Sequence, residues 1–478
     1  MAFSNPVTTA PSGQTYVDGL MWGSHWQDPG AGTRLAIWIA GAGGTNEQFD
    51  FGGVTVTANN APQENDAFVL AFQTIANVCG LTFTNAISQA DADIIVGTVN
   101  NRDASGALGT SVPPGEDVGP LGQQQGSAVI NWKQYSTTDF SSLLQGGYDF
   151  VTFIHEIGHA LGLKHPHNRI GGFQPFPGVG NGNSFGDLGD FDLNQGLYTM
   201  MSYNDGWQTR PGGPLLDTGV VKYGYEGTPM ALDIAALQYL YGVNSSYKTG
   251  DDSYMLAQAN RSGTFFACLW DAGGTDIIRN QSAKASTIDL RAATLGHDAG
   301  GGGYLSHVTG IEGGFTIAHG AVIENAAGGS AADLITGNDA VNNLRGNGGA
   351  DTIDGGAGND QISGGTGRDR MTGSGGGDAF VFATLADSRG AGDIITDFAD
   401  GLDVIRLTLI DAIRGGTDDA YDFIGSLVFG NHAGELRFDQ DMTGNLTRIE
   451  GDMNGDGSAD LTIRLTGLHI LSAGDFIL

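Results

Sequence analysis

Residues 155–165 read His155-Glu156-Ile157-Gly158-His159-Ala160-Leu161-Gly162-Leu163-Lys164-His165. On a helix, His155 and His159 are four residues apart, so their imidazoles project from one face and can share an ion. A continuing helix would swing His165 far off that face, at about 100° per residue. Gly162 resolves the conflict, because a residue without Cβ can turn left-handed, end the helix and let the chain fold back. Three neutral imidazoles then leave one tetrahedral position open for water, which is the catalytic rather than the structural pattern for zinc. Glu156, one step round the helix from His155, is placed to reach that water instead of the ion. A lone histidine more often caps a carboxylate or packs in a core. With 10 His among 478 residues, the coincidence of all five motif positions favours the metal site.

Downstream runs Tyr198-Thr199-Met200-Met201-Ser202-Tyr203. A Met-Met pair alone reads as core filler. After the zinc motif, the chain resembles the metzincin metalloproteases, in which a Met-containing turn lies beneath the metal-binding histidines. By that resemblance Met201 is the turn methionine. Tyr203 matches a tyrosine that some members place near the metal, as a resting ligand that swings to the developing oxyanion.

Acids outnumber bases 53 to 21, for a net charge of −32, and most of the acids are Asp. With no basic patch to neutralise phosphates, nucleic-acid binding is excluded as the expected function. The aspartates are spread singly among glycine and apolar residues, which suits calcium ligation in turns better than a polyacidic tail. No apolar run approaches the ~20 residues that span a bilayer. The first residues, Met1 to Pro6, lack the basic and apolar regions of a cleavable secretory signal. Two cysteines, Cys79 and Cys268, are too few for a disulfide framework. Cys79 closes an apolar helical face and reads as a buried thiol; whether it pairs with Cys268 is left open.

The spacing predicts a buried strand over Leu35–Ala40 and an amphipathic helix over Pro62–Val78, with Pro in its first turn and Gly80 past its end. Short strands are expected near Asp93–Val96 and Ser127–Trp132, then the zinc helix from about Tyr148. The Ser127–Trp132 strand is a candidate edge to the cleft, where an extended peptide could add as a further strand. Residues 166–197, rich in Gly, Pro and Asn, read as a surface loop or as a substrate rim held by a local calcium. Asp233 to Tyr241 reads as a helix with Asp233 at its N-cap, ending at Gly242.

From Gly328 a nine-residue period runs without a gap to Val381, with the pattern G-G-x-G-x-D-x-U-x and U apolar. Each unit is a Gly-rich turn, an acid, and a short strand whose apolar member points inward. Two units make one coil of a parallel β-helix, so acids 18 positions apart stack. Asp333, Asp351 and Asp369 fall in one column, and Asn342, Asp360 and Asp378 in the other. Carboxylates and turn carbonyls there form oxygen cages for Ca²⁺. A low-complexity linker would not keep such a strict period or its inward Ile, Leu, Met and Phe residues. Ala331 replaces a glycine and Asn342 an acid, so the first sites are expected to be weak.

With motif, turn and repeat together, the chain from about residue 15 resembles a serralysin-type protease with RTX calcium repeats. The resemblance implies an α+β zincin catalytic domain over 31–245 after an N-terminal segment, 1–30, for which a short pro-segment is left open. An RTX β-roll follows over 246–390, and a C-terminal β-sandwich-like region over 391–478 carries the export signal. A calcium site is implied at Lys248, Gly250 and Asp252 with Asp271, Gly273 and Asp276. Others are implied at Glu324, at the two columns, and at Asp393, Asp397, Asp400 and Asp403. The terminus Asp475-Phe476-Ile477-Leu478 resembles the uncleaved signal of type I secretion substrates, implying an extracellular protein. Peptide or protein substrates, the type I secretion machinery and a proteinaceous inhibitor are the implied partners of a monomer. In the implied mechanism His155, His159 and His165 hold zinc, and Glu156 takes the proton of the attacking water and passes it to the leaving amine. The rival is a calcium-dependent adhesive protein with a relict protease domain, which would not need Glu156. A zinc amidase is a third reading, against which the Met-turn argues. The two cysteines, the Gly-rich 296–314 segment and the 168–195 loop depart from the family pattern.

Overall fold

A computed structural model describes residues 5–27, 33–42, 44–51, 54–99, 108–116, 125–131, 140–180, 182, 184–214, 222–388, 392–415 and 419–478. The N-terminal half is built from β1 (Thr33–Ile39), the hairpin β2 (Glu47–Phe51) and β3 (Val54–Ala58), α1 (Pro62–Val78), β4 (Leu81–Asn85), β5 (Ile94–Val99), β6 (Gly109–Ser111), β7 (Ser127–Asn131), α2 (Tyr148–Ala160) and α3 (Ala231–Tyr241). Strands β4, β1, β5 and β7 lie side by side and parallel, and β6 closes the sheet antiparallel to β7. The helix α1 crosses over between β1 and its parallel neighbour β4, as a parallel pair requires.

Helix α1 starts at Pro62, whose missing N–H is no loss in a first turn. The Glu64 carboxylate reaches back to the Ala61 N–H. Its face of Ala67, Phe68, Ala71, Phe72, Ile75 and Val78 is buried, and Phe68 meets Phe153 of α2 with ring centroids 4.6 Å apart. From Asp149 to Ala160 every residue of α2 is buried, because the helix is enclosed on all sides.

Two sequence expectations are corrected here. The strand at Ser127–Asn131 is not the edge: β5 covers one side of it and β6 the other, so among the described residues the free edge is β6. Trp132 lies outside the described residues. Asp233 is not an N-cap but the third residue of its helix; Met230 is the cap, and the Asp233 carboxylate reaches back to the Met230 N–H at 2.9 Å.

In the second half, strands between Ser253 and Ile477 build an 8-stranded and a 12-stranded sheet. Parallel neighbours are offset by one coil: Leu334 pairs with Thr352, Thr352 with Arg370, and Asn343 with Gln361. Ile335, Leu344, Ile353, Ile362, Met371 and Phe380, the apolar position of successive units, are fully buried between the sheets. Strands of the 391–478 region extend both sheets: Asp393–Ile395 and Leu461–Thr466 continue one, Val404–Arg406 and Phe476–Ile477 the other.

Both cysteines are free and buried, which pushes each thiol up to about 12. The 168–195 loop packs against the Gly-rich 296–314 segment: Phe191 meets His297 edge-on at 5.1 Å, and Asp190 bonds its ring at 2.9 Å. Asp187 accepts backbone N–H bonds from Gly180 and Gly189. Among the described residues no group of three metal-ligating side chains gathers in this loop.

Candidate active site

The end of α2 builds the site. Gly162 takes φ 94°, and the chain closes a Schellman turn: Leu163 N–H bonds the Gly158 carbonyl at 3.0 Å and Gly162 N–H the His159 carbonyl at 2.9 Å. A Cβ on Gly162 would also lie 2.3 Å from the Ser24 carbonyl oxygen. The next carbonyls are met from outside the helix. Trp26 donates to Ala160, the Tyr241 hydroxyl to Leu161 and the Trp22 N–H to Gly162. No last-turn carbonyl from Gly158 to Gly162 is left without a donor, so the helix ends sharply in a buried place.

The turn brings His165 back over the helix. Its Nε2 lies 3.0 Å from Nε2 of both His155 and His159. Tetrahedral zinc with bonds of about 2.0 Å would hold such nitrogens about 3.3 Å apart, so the three imidazoles fit one ion. Their outer nitrogens are held as ligation requires. His155 Nδ1 faces the Met200 carbonyl at 2.8 Å, and His159 Nδ1 faces the Leu163 carbonyl at 2.8 Å. Each carbonyl keeps the proton on Nδ1 and frees Nε2. His165 Nδ1 contacts the Asn168 amide at 3.0 Å, whose Oδ1 can accept from an Nδ1–H once the amide is turned over. Burial holds all three imidazoles below their usual range, keeping them neutral as ligands must be.

Glu156 is buried with its Oε2 unpartnered, and desolvation pushes its carboxyl up to about 8. It packs on the edge strand: a Cβ on Gly109 would lie 2.6 Å from its Cγ. Tyr203 sits over the ligands, with ring centroids 4.4 Å from His165 and 5.7 Å from His155. Burial, then the Glu156 charge, pushes its phenol up to about 12. Met200 and Met201 lie under α2, in space that Gly158 leaves open; a Cβ there would meet Met201 Sδ at 2.7 Å.

Several residues enter the site that motif reading did not place there. Asp233 accepts from Thr199 Oγ1 at 2.6 Å and from Met200 N–H at 2.7 Å, clamping the turn whose Met200 carbonyl orients His155. Lys164 is fully buried and donates to the carbonyls of Gly19, Asn168 and Gln174, tying the N-terminal segment to the turn around His165. Asp205 and Glu226 lie beyond Tyr203, and burial pushes Asp205 up to about 7 and Glu226 well above its usual range. The spacing of Asp233 from the histidines carries no local signal. Its place three residues past Met230, in the first turn of the helix, is that of a helix-start acid.

The calcium candidates fall into two settings. Asp252, Asp271 and Asp276 bring carboxylate oxygens within 4.8 Å of one another. Lys248 donates its ammonium to Asp252 at 2.6 Å, and its carbonyl accepts from Ala272 N–H at 2.9 Å. Gly273 N–H bonds Asp271, and the Gly250 carbonyl abuts Gly274 closely enough to exclude any Cβ there. In the roll, each acid accepts the N–H of the residue one coil earlier: Asp351 from Asp333, Asp360 from Asn342, Asp369 from Asp351 and Asp378 from Asp360. Asp393 and Asp403 continue the two columns, accepting from Asp369 and Asp378. Asp397 instead accepts from Gly373 and Ser374, and Asp400 meets His469. Glu324 accepts Asp276 N–H and, by its carbonyl, the Asn342 amide.

Comparison with known proteins now decides the family. The profile described as Peptidase M10 serralysin C terminal matches residues 231–478, and the Matrixin profile matches 48–185, which includes the histidine motif. The chain belongs to the serralysin family of metalloproteases. It is 33% identical to the metalloprotease AprA of Pseudomonas entomophila over 83% of this chain and 76% of that protein. It is 33% identical to serralysin A of Dickeya chrysanthemi over 85% and 78% respectively. With the serralysin of Proteus mirabilis it shares 42% identity over 55% of this chain and 51% of that one. This serralysin is accordingly a zinc metalloendopeptidase with a matrixin-type catalytic domain and a β-roll. Among its described residues no helix is long and apolar enough to cross a membrane.

Asp233→Ala should leave the three histidines in place but free the turn that orients His155. Zinc retention against a chelator is expected to weaken about 10- to 100-fold. Unchanged retention would remove Asp233 from the site.

Proposed function

We propose that this serralysin hydrolyses peptide bonds in extended protein segments, with His155, His159 and His165 as zinc ligands and Glu156 as general base. The observation that carries this reading is the convergence of three Nε2 atoms, each with its outer nitrogen held, beside a buried carboxylate with a free oxygen. Zinc held by these three imidazoles would supply a water of pKa near ~7 and Lewis-acid polarisation of the scissile carbonyl. Glu156 takes the proton of the attacking water on its unpartnered Oε2 and gives it to the departing amine. Its pKa, raised by burial, suits both directions of transfer. Tyr203, which the family resemblance makes a resting ligand, keeps its phenol protonated near neutrality and would donate it to an oxyanion. The substrate backbone would extend along the free edge of β6, where Gly109 brings the strand against Glu156.

Calcium is proposed as the ion of the roll. Asp351, Asp360, Asp369 and Asp393 each have a buried Oδ2 without a partner, an arrangement that is costly unless a cation accepts them. Burial pushes Asp351 and Asp360 up to about 7 and Asp393 to about 8. The start of the roll differs. Asp333 already accepts from Ser286 and Gly329, and Asn342 bonds Asn338 and Glu324, so these positions need no ion. Export by type I secretion is proposed from the C-terminal resemblance. Phe476–Ile477 is the last strand of the 8-stranded sheet and Asp475 bonds Gly401 and Ser472. A transporter that reads these residues must therefore meet them before the sheet closes, and extracellular calcium would then close it. The protein would act as a secreted monomer, a target for a proteinaceous inhibitor at the same cleft.

Glu156→Ala should keep stoichiometric zinc and the fold while losing nearly all casein hydrolysis; substantial residual turnover would refute its role as base. Chelation of calcium should reduce the strand signal in circular dichroism, with recovery on adding Ca²⁺ and not Mg²⁺. A full strand signal in excess chelator would contradict the calcium proposal.

A further inference from the structure

Beside Glu156 a cavity of about 340 Å³ opens, lined by Tyr148, Val151, His155, Phe185, Tyr203 and Asp205 among others. It is continuous with the proposed reacting centre, so a side chain flanking the scissile bond must enter it. Among the described residues of its wall, Asp205 is the one acid besides Glu156. The carboxylate of Asp205 makes no hydrogen bond or ion pair with any described residue.

Behind Asp205 stands Glu226, fully buried. Its Oε2 accepts the Gly206 N–H at 3.0 Å, and its Oε1 has no partner. Among the described residues no lysine or arginine offsets either group. Among the described residues, the groups that gather three ligands are the histidine triad and Asp252, Asp271 and Asp276, and neither acid belongs to them. The rest of the wall suits an organic cation. Tyr148, Tyr203 and Phe185 offer aromatic faces, which attract ammonium and guanidinium groups, and Val151 offers apolar surface for an aliphatic stem.

From this geometry we infer that Asp205, backed by Glu226, makes the cavity a subsite for a lysine or arginine side chain flanking the cleaved bond. The inference rests on the proposed protease reading and names its substrate class. A cationic side chain would lay its stem along Val151, its head between the tyrosines, and its charge on Asp205. An apolar side chain would seal the acid from water without a partner, and an acidic one would be repelled. The net charge of −32 acts in the same direction, drawing basic segments to the molecule. Asp205 falls between the two family matches, which end at 185 and begin at 231, so a family profile does not report on it.

The test compares two quenched fluorogenic peptides that differ only at the flanking position, Lys against Leu, with the zinc- and calcium-loaded enzyme. Cleavage sites are mapped by mass spectrometry. The wild type should favour the Lys peptide in kcat/KM by at least about 10-fold, and Asp205→Asn should erase that preference while still cutting the Leu peptide. Asp205→Glu should restore part of it, which a merely structural role would not do. Equal rates on both peptides by an active wild type would overturn the inference and leave the protease reading intact. Failure of the wild type to cut either peptide would overturn both.

Discussion

The site depends on ending one helix at one residue. Helix α2 must be continuous to put His155 and His159 on one face, and must stop directly after them, at Ala160, to let His165 return. Gly162 supplies the left-handed turn, and the donors that meet the released carbonyls come from Trp22, Trp26 and Tyr241, in segments far apart in sequence. The same turn presents the Leu163 carbonyl to His159, so helix termination and ligand orientation are one event. A β-carbon at this position would meet the Ser24 backbone. The segment from Trp22 to Trp26, the helix end and α3 are thereby locked around His155, His159 and His165.

Orientation continues outward by the same means. Asp233 reaches from α3 to the Met-turn, the turn reaches His155, and the absence of a side chain at Gly158 lets the two methionines come up beneath the helix. Polar groups buried this way are costly unless paired, and along this path Asp233, Thr199 and His155 Nδ1 each have a partner. The roll follows the opposite strategy. Its columns leave buried Oδ2 atoms of Asp351, Asp360, Asp369 and Asp393 without protein partners, the atoms that the proposed calcium would satisfy.

What could be read from sequence follows from the range of the forces involved. The histidine motif and α1 were legible because their information is local: helical spacing, a proline at the start, a glycine at the end. The roll was legible because its period repeats, and the register of 18 appears directly in the strand pairing. The edge strand was misplaced because β6 carries Gly109-Thr110-Ser111, which lacks the Ala-Val-Ile run of β7. Its position comes from pairing, not from its own residues. Asp233 was read as a cap because its contact with Met200 is tertiary. Asp205 lies two residues past Tyr203 and gains meaning only from the cavity around it.

The central claim is that the turn at Gly162 brings a third imidazole to one zinc ion and leaves a coordination position open. Zinc-edge X-ray absorption on the purified protein addresses it directly. The account predicts one zinc per chain, with three imidazole nitrogens at about 2.0–2.1 Å and oxygen completing the shell. A shell with only two imidazoles, or with sulfur from Cys79 or Cys268, would contradict it.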